Sequence, residues 1–189
     1  MNQRSFYDSI RETLFKGSIS SDQFRGIDAI LERYHELCIN DVRKLAYILA
    51  TVYHESAKTM QPIEEYGKGA KYDYGKKLRM NRTAYSVPDK IYYGRGLVQL
   101  TWYDNYKAMG KILNLPLLEQ PELLLNMEVS VKVLFNGMME GRFTGKSLKD
   151  YFTSDKTDAF NARKIINGLD KATTIQGYFN VFYGALILK

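Results

Sequence analysis

Apolar residues recur at intervals of three and four along most of this chain, the period of a helix with one buried face. Ser5 to Phe15 predicts a short amphipathic helix capped by Ser5 and closed by Gly17. A second helix starts near Ser20, which has capping-box spacing with Gln23, and Phe24, Ile27, Ile30, Leu31, Tyr34 and Cys38 mark its inner face. In the stretch from Asn40 to Glu65, Leu45, Ile48, Leu49 and Val52 form the apolar face of a third. Pro121 to Met139 is apolar almost all round, as befits a central buried helix, and Gly141 stops it. Short helices are expected over Ser147 to Phe152 and Asp158 to Asn167, the latter ending at Gly168. The last, about Lys171 to Leu188, turns Ile175, Tyr178, Phe179, Phe182 and Leu186 inward. Only Gly67 to Ile91 lacks a sustained period, and it predicts a long loop or short hairpin of the kind that walls a functional cleft. The expectation is a mainly α fold in a single domain, 1–189.

Composition narrows this picture. With 189 residues, 45% hydrophobic and 25% charged, the chain is long enough for one sizeable core. A net charge of +6 favours anionic partners such as nucleic acid, membrane surfaces or acidic wall polymers. The Lys and Arg residues are scattered, which argues against a nucleic-acid arm. Cys38 is the sole cysteine; it is expected to be a buried, inert thiol, and no disulfide can form within one chain. The start, MNQRSFYDSIRETLF, lacks the apolar run of a signal peptide, and no stretch of about 18 apolar residues appears, so a soluble protein made in the cytosol, without membrane insertion, is expected.

Candidate chemistry begins at Glu55, which follows Val52 by three and Ile48 by seven and so falls on the buried face of its helix. A carboxylate there must either be paired or have its pKa pushed upward by desolvation, the condition a general acid needs. The same position also suits a helix-end glutamate bonded to a nearby Arg or Tyr. Glu64 and Glu65 follow in a loop after Pro62, where they are either solvated charge or the second carboxylate of an acid–base pair. In an inverting glycosidase such a pair stands about 6.5–9.5 Å apart to admit a water. His54 and His35 have no Cys or Asp at ligand spacing, so neither metal nor cofactor is expected.

The segment YYGRGLVQLTWYDNYKAMG, from Tyr92 to Gly110, predicts a tight turn with Gly94 and Gly96 flanking Arg95, Val98 and Leu100 on one side, and Gln99 and Thr101 on the other. Thr101 and Asp104 form an expected helix cap. Gln99, Thr101 and Asn105 offer neutral donors and acceptors for sugar hydroxyls or a water. The Gly-x-Gly lacks what a phosphate or dinucleotide loop requires, which dismisses nucleotide binding.

The HES with Glu55, the following Glu64 and Glu65, YYGRGLVQLTWYDNY and the later NARKIING, Asn161 to Gly168, resemble in that order the signature segments of glycoside hydrolase family 19, the chitinase-like enzymes, and especially their bacteriophage endolysin branch. The resemblance implies an α-helical, lysozyme-like domain with its cleft built from about 40–110 and 158–168, and an inverting mechanism. Glu55 takes the acid role; Glu65 is the choice for base, with Glu64 the close alternative. His54, Tyr93, Arg95, Gln99, Thr101, Asn105 and Asn167 are implied in substrate binding. Where the family often has Thr-Gly-Gly after the acid, this chain has Ser56, Ala57 and Lys58. The expected activity is a monomeric, muramidase-type peptidoglycan hydrolase, released across the inner membrane to reach the wall. The alternatives are a chitinase and a catalytically silent glycan binder.

Overall fold

The computed structural model describes residues 2–188. The chain adopts the expected mainly α architecture, with six α-helices and one two-stranded ribbon among the described residues. Contacts gather it into two compact units, Met1–Met60 with Phe135–Lys189, and Gln61–Leu134.

The first unit is organised around α3 (Val42–Glu55), capped by Asp41, whose carboxylate accepts from the Arg43 amide. Leu45 to Tyr53 are all buried, so α3 is enclosed on every side rather than on one face. It packs against α6 (Ala172–Ile187), which buries Ile175, Phe179, Phe182 and Leu186 as expected and also meets α1 (Gln3–Thr13). α1 starts ahead of the expected Ser5 cap because the Asn2 side chain accepts the Ser5 amide. α2 (Ser21–Glu36) begins as its spacing predicts, with Ser20 and Gln23 capping each other. Its inner face is narrower than expected. Phe24 is 42% exposed, and Cys38 is exposed because the helix ends before the period can carry it inward.

In place of one long helix over Pro121 to Met139 there is a 3-10 helix, Pro121–Leu125, then α5 (Met127–Glu140), with the chain passing from the second unit to the first within α5. The break falls at Asn126, whose extended backbone stops the first helix while its side-chain oxygen accepts the Val129 amide of the next. Asp158 to Asn167 likewise holds only a 3-10 helix, Asn161–Ile165, and Ser147 to Phe152 only Leu148–Asp150.

The second unit holds β1 (Ile63–Glu64) and β2 (Arg95–Gly96), antiparallel with Glu64 opposite Arg95. Between them runs the expected irregular segment, with one 3-10 helix, Asp73–Lys76, and a bridge from Leu78 to Ala84. α4 (Tyr103–Leu113) follows the ribbon.

Candidate active site

In the first unit, Glu55 is the last residue of α3. The chain leaves the helix in a tight turn in which Ala57, Lys58 and Met60 all take positive φ. The buried Ser56 side chain holds that turn by accepting the Met60 amide at 3.0 Å. Ser56, where the resemblance leads one to expect threonine and glycines, thus has a structural task of its own. The Glu55 carboxylate, 15% exposed, accepts from Nη1 of Arg163, itself 5% exposed, and Arg163 also donates from Nε to the Asp170 carbonyl at 3.0 Å. Of the two options open to a buried carboxylate, the chain uses pairing. The Arg163 role was not read from the sequence, although an arginine between Ala162 and Ile165, both fully buried, is a signal that it too must be buried and paired.

His54 is half-buried beside Tyr178, 6.4 Å between ring centroids. Burial pulls its imidazole below the ordinary value, only partly opposed by the Glu55 charge, so it is neutral at pH 7. Asn167 is exposed, and its side-chain oxygen accepts the Gly168 amide at 2.8 Å, closing a local turn.

In the second unit, the adjacent glutamates are held by different partners. Glu64 Oε1 accepts from the Tyr93 hydroxyl, and its Oε2 lies 3.3 Å from Lys68 Nζ. The Tyr93 hydrogen bond first, then Lys68, holds the Glu64 carboxyl below its ordinary range against the opposing effect of burial. Glu65 has neutral partners: the Tyr74 hydroxyl donates to Oε1 and the Gly94 amide to Oε2, each at 2.9 Å. Its own amide donates to the Gly94 carbonyl at 2.7 Å. A Cβ on Gly94 would come within 2.7 Å of Gln99 Oε1 and 3.3 Å of Glu65 Cβ, so this glycine allows the approach.

Arg95 is buried, its Nε 3.7 Å from Glu64 Oε1, rather than presented to solvent. Its guanidinium lies 3.5 Å from the Tyr93 ring centroid, and Nη1 donates to the Ile91 carbonyl and the Tyr106 hydroxyl at 3.1 and 3.0 Å. Tyr106 in turn donates to the Tyr93 carbonyl at 2.7 Å. Arg95 and Tyr93 therefore fix the ribbon and Glu64. Gln99, at φ +54, donates to the Ile63 and Gly96 carbonyls at 3.0 and 3.2 Å.

The turn differs from the expected one. Arg95 and Leu100 exchange backbone hydrogen bonds, so the reversal spans Gly96 to Gln99; Val98 and Leu100 are buried while Gln99 and Thr101 are half-buried, which follows the expected alternation. Thr101 does not cap α4: Trp102 occupies the cap with φ +73 and no side-chain bond, because the helix starts one residue later than the cap spacing assumed. Asp104 instead accepts the Met80 amide at 3.0 Å, pinning the long loop. Thr101 and Asn105 are half-buried. Missed in the sequence was a row of ring faces beside Glu65, with Tyr72 stacked on Tyr74 at 5.1 Å and Tyr74 edge-on to Trp102 at 5.3 Å.

Comparison with known proteins places this geometry in context. No family model matches the chain. Among solved structures it is similar to a bacterial family 19 chitinase (TM-score 0.60, 20% identity, covering 100% of this chain and 95% of that one) and to chitinase C from Streptomyces griseus (TM-score 0.61, 21%, 98% and 76%). Among curated proteins it is 42% identical over 83 residues to an endochitinase of Arabidopsis thaliana, 43% of this chain and 26% of that protein. It is 44% identical over 82 residues to the basic endochitinase CHB4 of Brassica napus, 43% and 29%. It is also 40% identical over 68 residues to the inactive chitinase-like protein 1 of Hevea brasiliensis, 35% and 22%. The matched segment is thus less than a third of each curated relative. The fold is that of the family 19 chitinases, and the local sequence likeness supports a relationship to that family of glycoside hydrolases.

Proposed function

We propose that this protein is a glycoside hydrolase that cleaves N-acetylglucosamine polymers with inversion, Glu55 serving as general acid and Glu65 as general base. The observation that supports this best is a family 19 chitinase fold in which protein groups hold each motif carboxylate within its own unit, Glu55 by the Arg163 side chain and Glu65 by the Tyr74 hydroxyl and the Gly94 amide. Fold alone would be analogy; a carboxylate fixed by named partners is a candidate for chemistry. In this reading Glu55 takes up a proton at the expense of its pairing with Arg163, and gives that proton to the glycosidic oxygen as the C–O bond breaks. Glu65 takes a proton from the water that attacks the anomeric carbon, so each group ends in the other's starting form. Glu65 suits the base role better than Glu64, because its partners are neutral while Tyr93 and Lys68 weaken Glu64 as a proton acceptor. Tyr72 and Trp102 offer platforms for sugar rings.

The sequence alone ranked peptidoglycan first, but the named relatives and structures are chitinases or chitinase-like, which favours chitin-type polymers. The net charge of +6 supports a second reading, a phage-type muramidase made in the host cytosol that acts on an anionic wall. Mass spectrometry of parallel digests tests both. Shortened N-acetylglucosamine oligomers from soluble chitin support the first, and new reducing muramic acid ends from sacculi alone support the second. Binding to either polymer without cleavage would match a silent glycan binder.

A further inference from the structure

Outside the glutamate sites, the first unit carries an open cavity of about 640 Å³ lined by Tyr7, Arg11, Ile19, Ser20, Ser21, Phe24 and Arg25. Its size falls within the range of small-molecule sites, and its mixture of an aromatic wall with a few convergent polar groups is what such sites use. Phe24 leaves the core face of α2 to form this wall, with its ring 4.7 Å from that of Tyr7. A part-exposed aromatic face costs free energy in water unless something covers it. The Tyr7 hydroxyl is buried with no hydrogen-bond partner among the described residues, and burial raises its pKa, so it stays a neutral donor at any working pH.

Charge decides which ligand fits. Arg11 pairs with Asp8 at 2.7 Å and Arg25 with Asp22, so both guanidinia enter the cavity already neutralised by acids on their own helices. A strongly anionic ligand gains little there. A pyranose suits it better: one apolar face for Phe24, and hydroxyls for the serines and guanidinia. The cavity belongs to the unit that carries Glu55, and Gln23, the neighbour of its lining residue Phe24, donates from Nε2 to the Lys58 carbonyl at 3.0 Å, three residues beyond Glu55. We propose that the Tyr7–Phe24 cavity is a second saccharide-binding site, one that holds a neutral N-acetylhexosamine segment of the polymer apart from the glutamates. This rests on the glycan reading above.

The test is a ¹H–¹⁵N NMR titration of the full chain with tetra-N-acetylchitotetraose in a Glu55→Gln background, alone and combined with Phe24→Ala, Phe24→Trp or Tyr7→Phe, with cleavage by the wild type assayed in parallel. Saturable shifts at Tyr7, Arg11, Ser21 and Phe24 are expected, weakened about tenfold in Phe24→Ala, the size of one aromatic contact, and restored in Phe24→Trp. Shifts confined to residues around Glu55 or Glu65, or cavity shifts unchanged in Phe24→Ala, would overturn the proposal. So would a cavity that answers only to an acidic saccharide such as oligogalacturonate. Because binding is read in the Glu55→Gln background, where turnover is removed, cavity shifts there beside a wild type that cleaves nothing would refute the hydrolase and leave this site standing. Cleavage without cavity shifts would do the reverse.

Discussion

Nη1 of Arg163 donates to Oε1 of Glu55 across 108 residues of sequence, and both side chains are largely withdrawn from water. Breaking a buried pair from one side leaves an uncompensated charge. Arg163→Met should therefore lower stability by about 2–4 kcal/mol, with Glu55 losing its fixed position. Chemical denaturation of the single and double variants with Glu55→Gln checks this, and a coupling energy below about 0.5 kcal/mol would mean that the two groups do not act as a pair.

The same pair changes what Glu55→Gln does. Deleting the transferable proton should reduce glycan cleavage by at least about a hundredfold. Stability should fall too, by about 1–2 kcal/mol, because the amide still accepts from Arg163 but no longer neutralises it. Turnover of chitin oligomers and a melting curve measure the two effects; near-normal turnover would remove Glu55 from the acid role.

Glu65→Gln should damage turnover much more than Glu64→Gln. Among the described residues Glu65 meets the neutral donors Tyr74 and Gly94, whereas Glu64 is bound into the Tyr93, Lys68 and Arg95 cluster and should show its loss mainly in stability. Steady-state kinetics of the two variants decide the matter, and the reverse order would move the base to Glu64.

Much of this was legible in the sequence for local reasons. The Ser20–Gln23 box, the inward stripe of α6 and the place of Glu55 at the end of a buried helix all follow from spacing within a few residues. What was hidden depends on distant partners or on one residue of register. The spacing allowed a paired Glu55 and marked Arg163 as buried but could not join the two, because they stand 108 residues apart. The helical period put Phe24 on a face without saying where packing stops. Asn126 ended one helix and capped the next inside a run whose hydrophobicity reads as continuous. The Thr101 cap failed because α4 begins beyond Trp102.

Acidification should destabilise the protein in the window below the ordinary histidine value of 6.5. The folded His54 is harder to protonate than the unfolded one, so the unfolded state binds more protons there and stability falls as pH drops toward the folded pKa. Melting temperatures between pH 7 and pH 5 should decline, and His54→Gln should flatten that decline. An unchanged slope would show that other groups govern it.

The central claim, an inverting hydrolase of N-acetylglucosamine polymers, is tested most directly by the anomeric form of the first product. Proton NMR of a β-linked chitin oligomer, recorded within minutes of adding the protein, should show the new reducing end as the α-anomer, relaxing later to the equilibrium mixture. A β-anomer at early times, or no new reducing end at all, would contradict it.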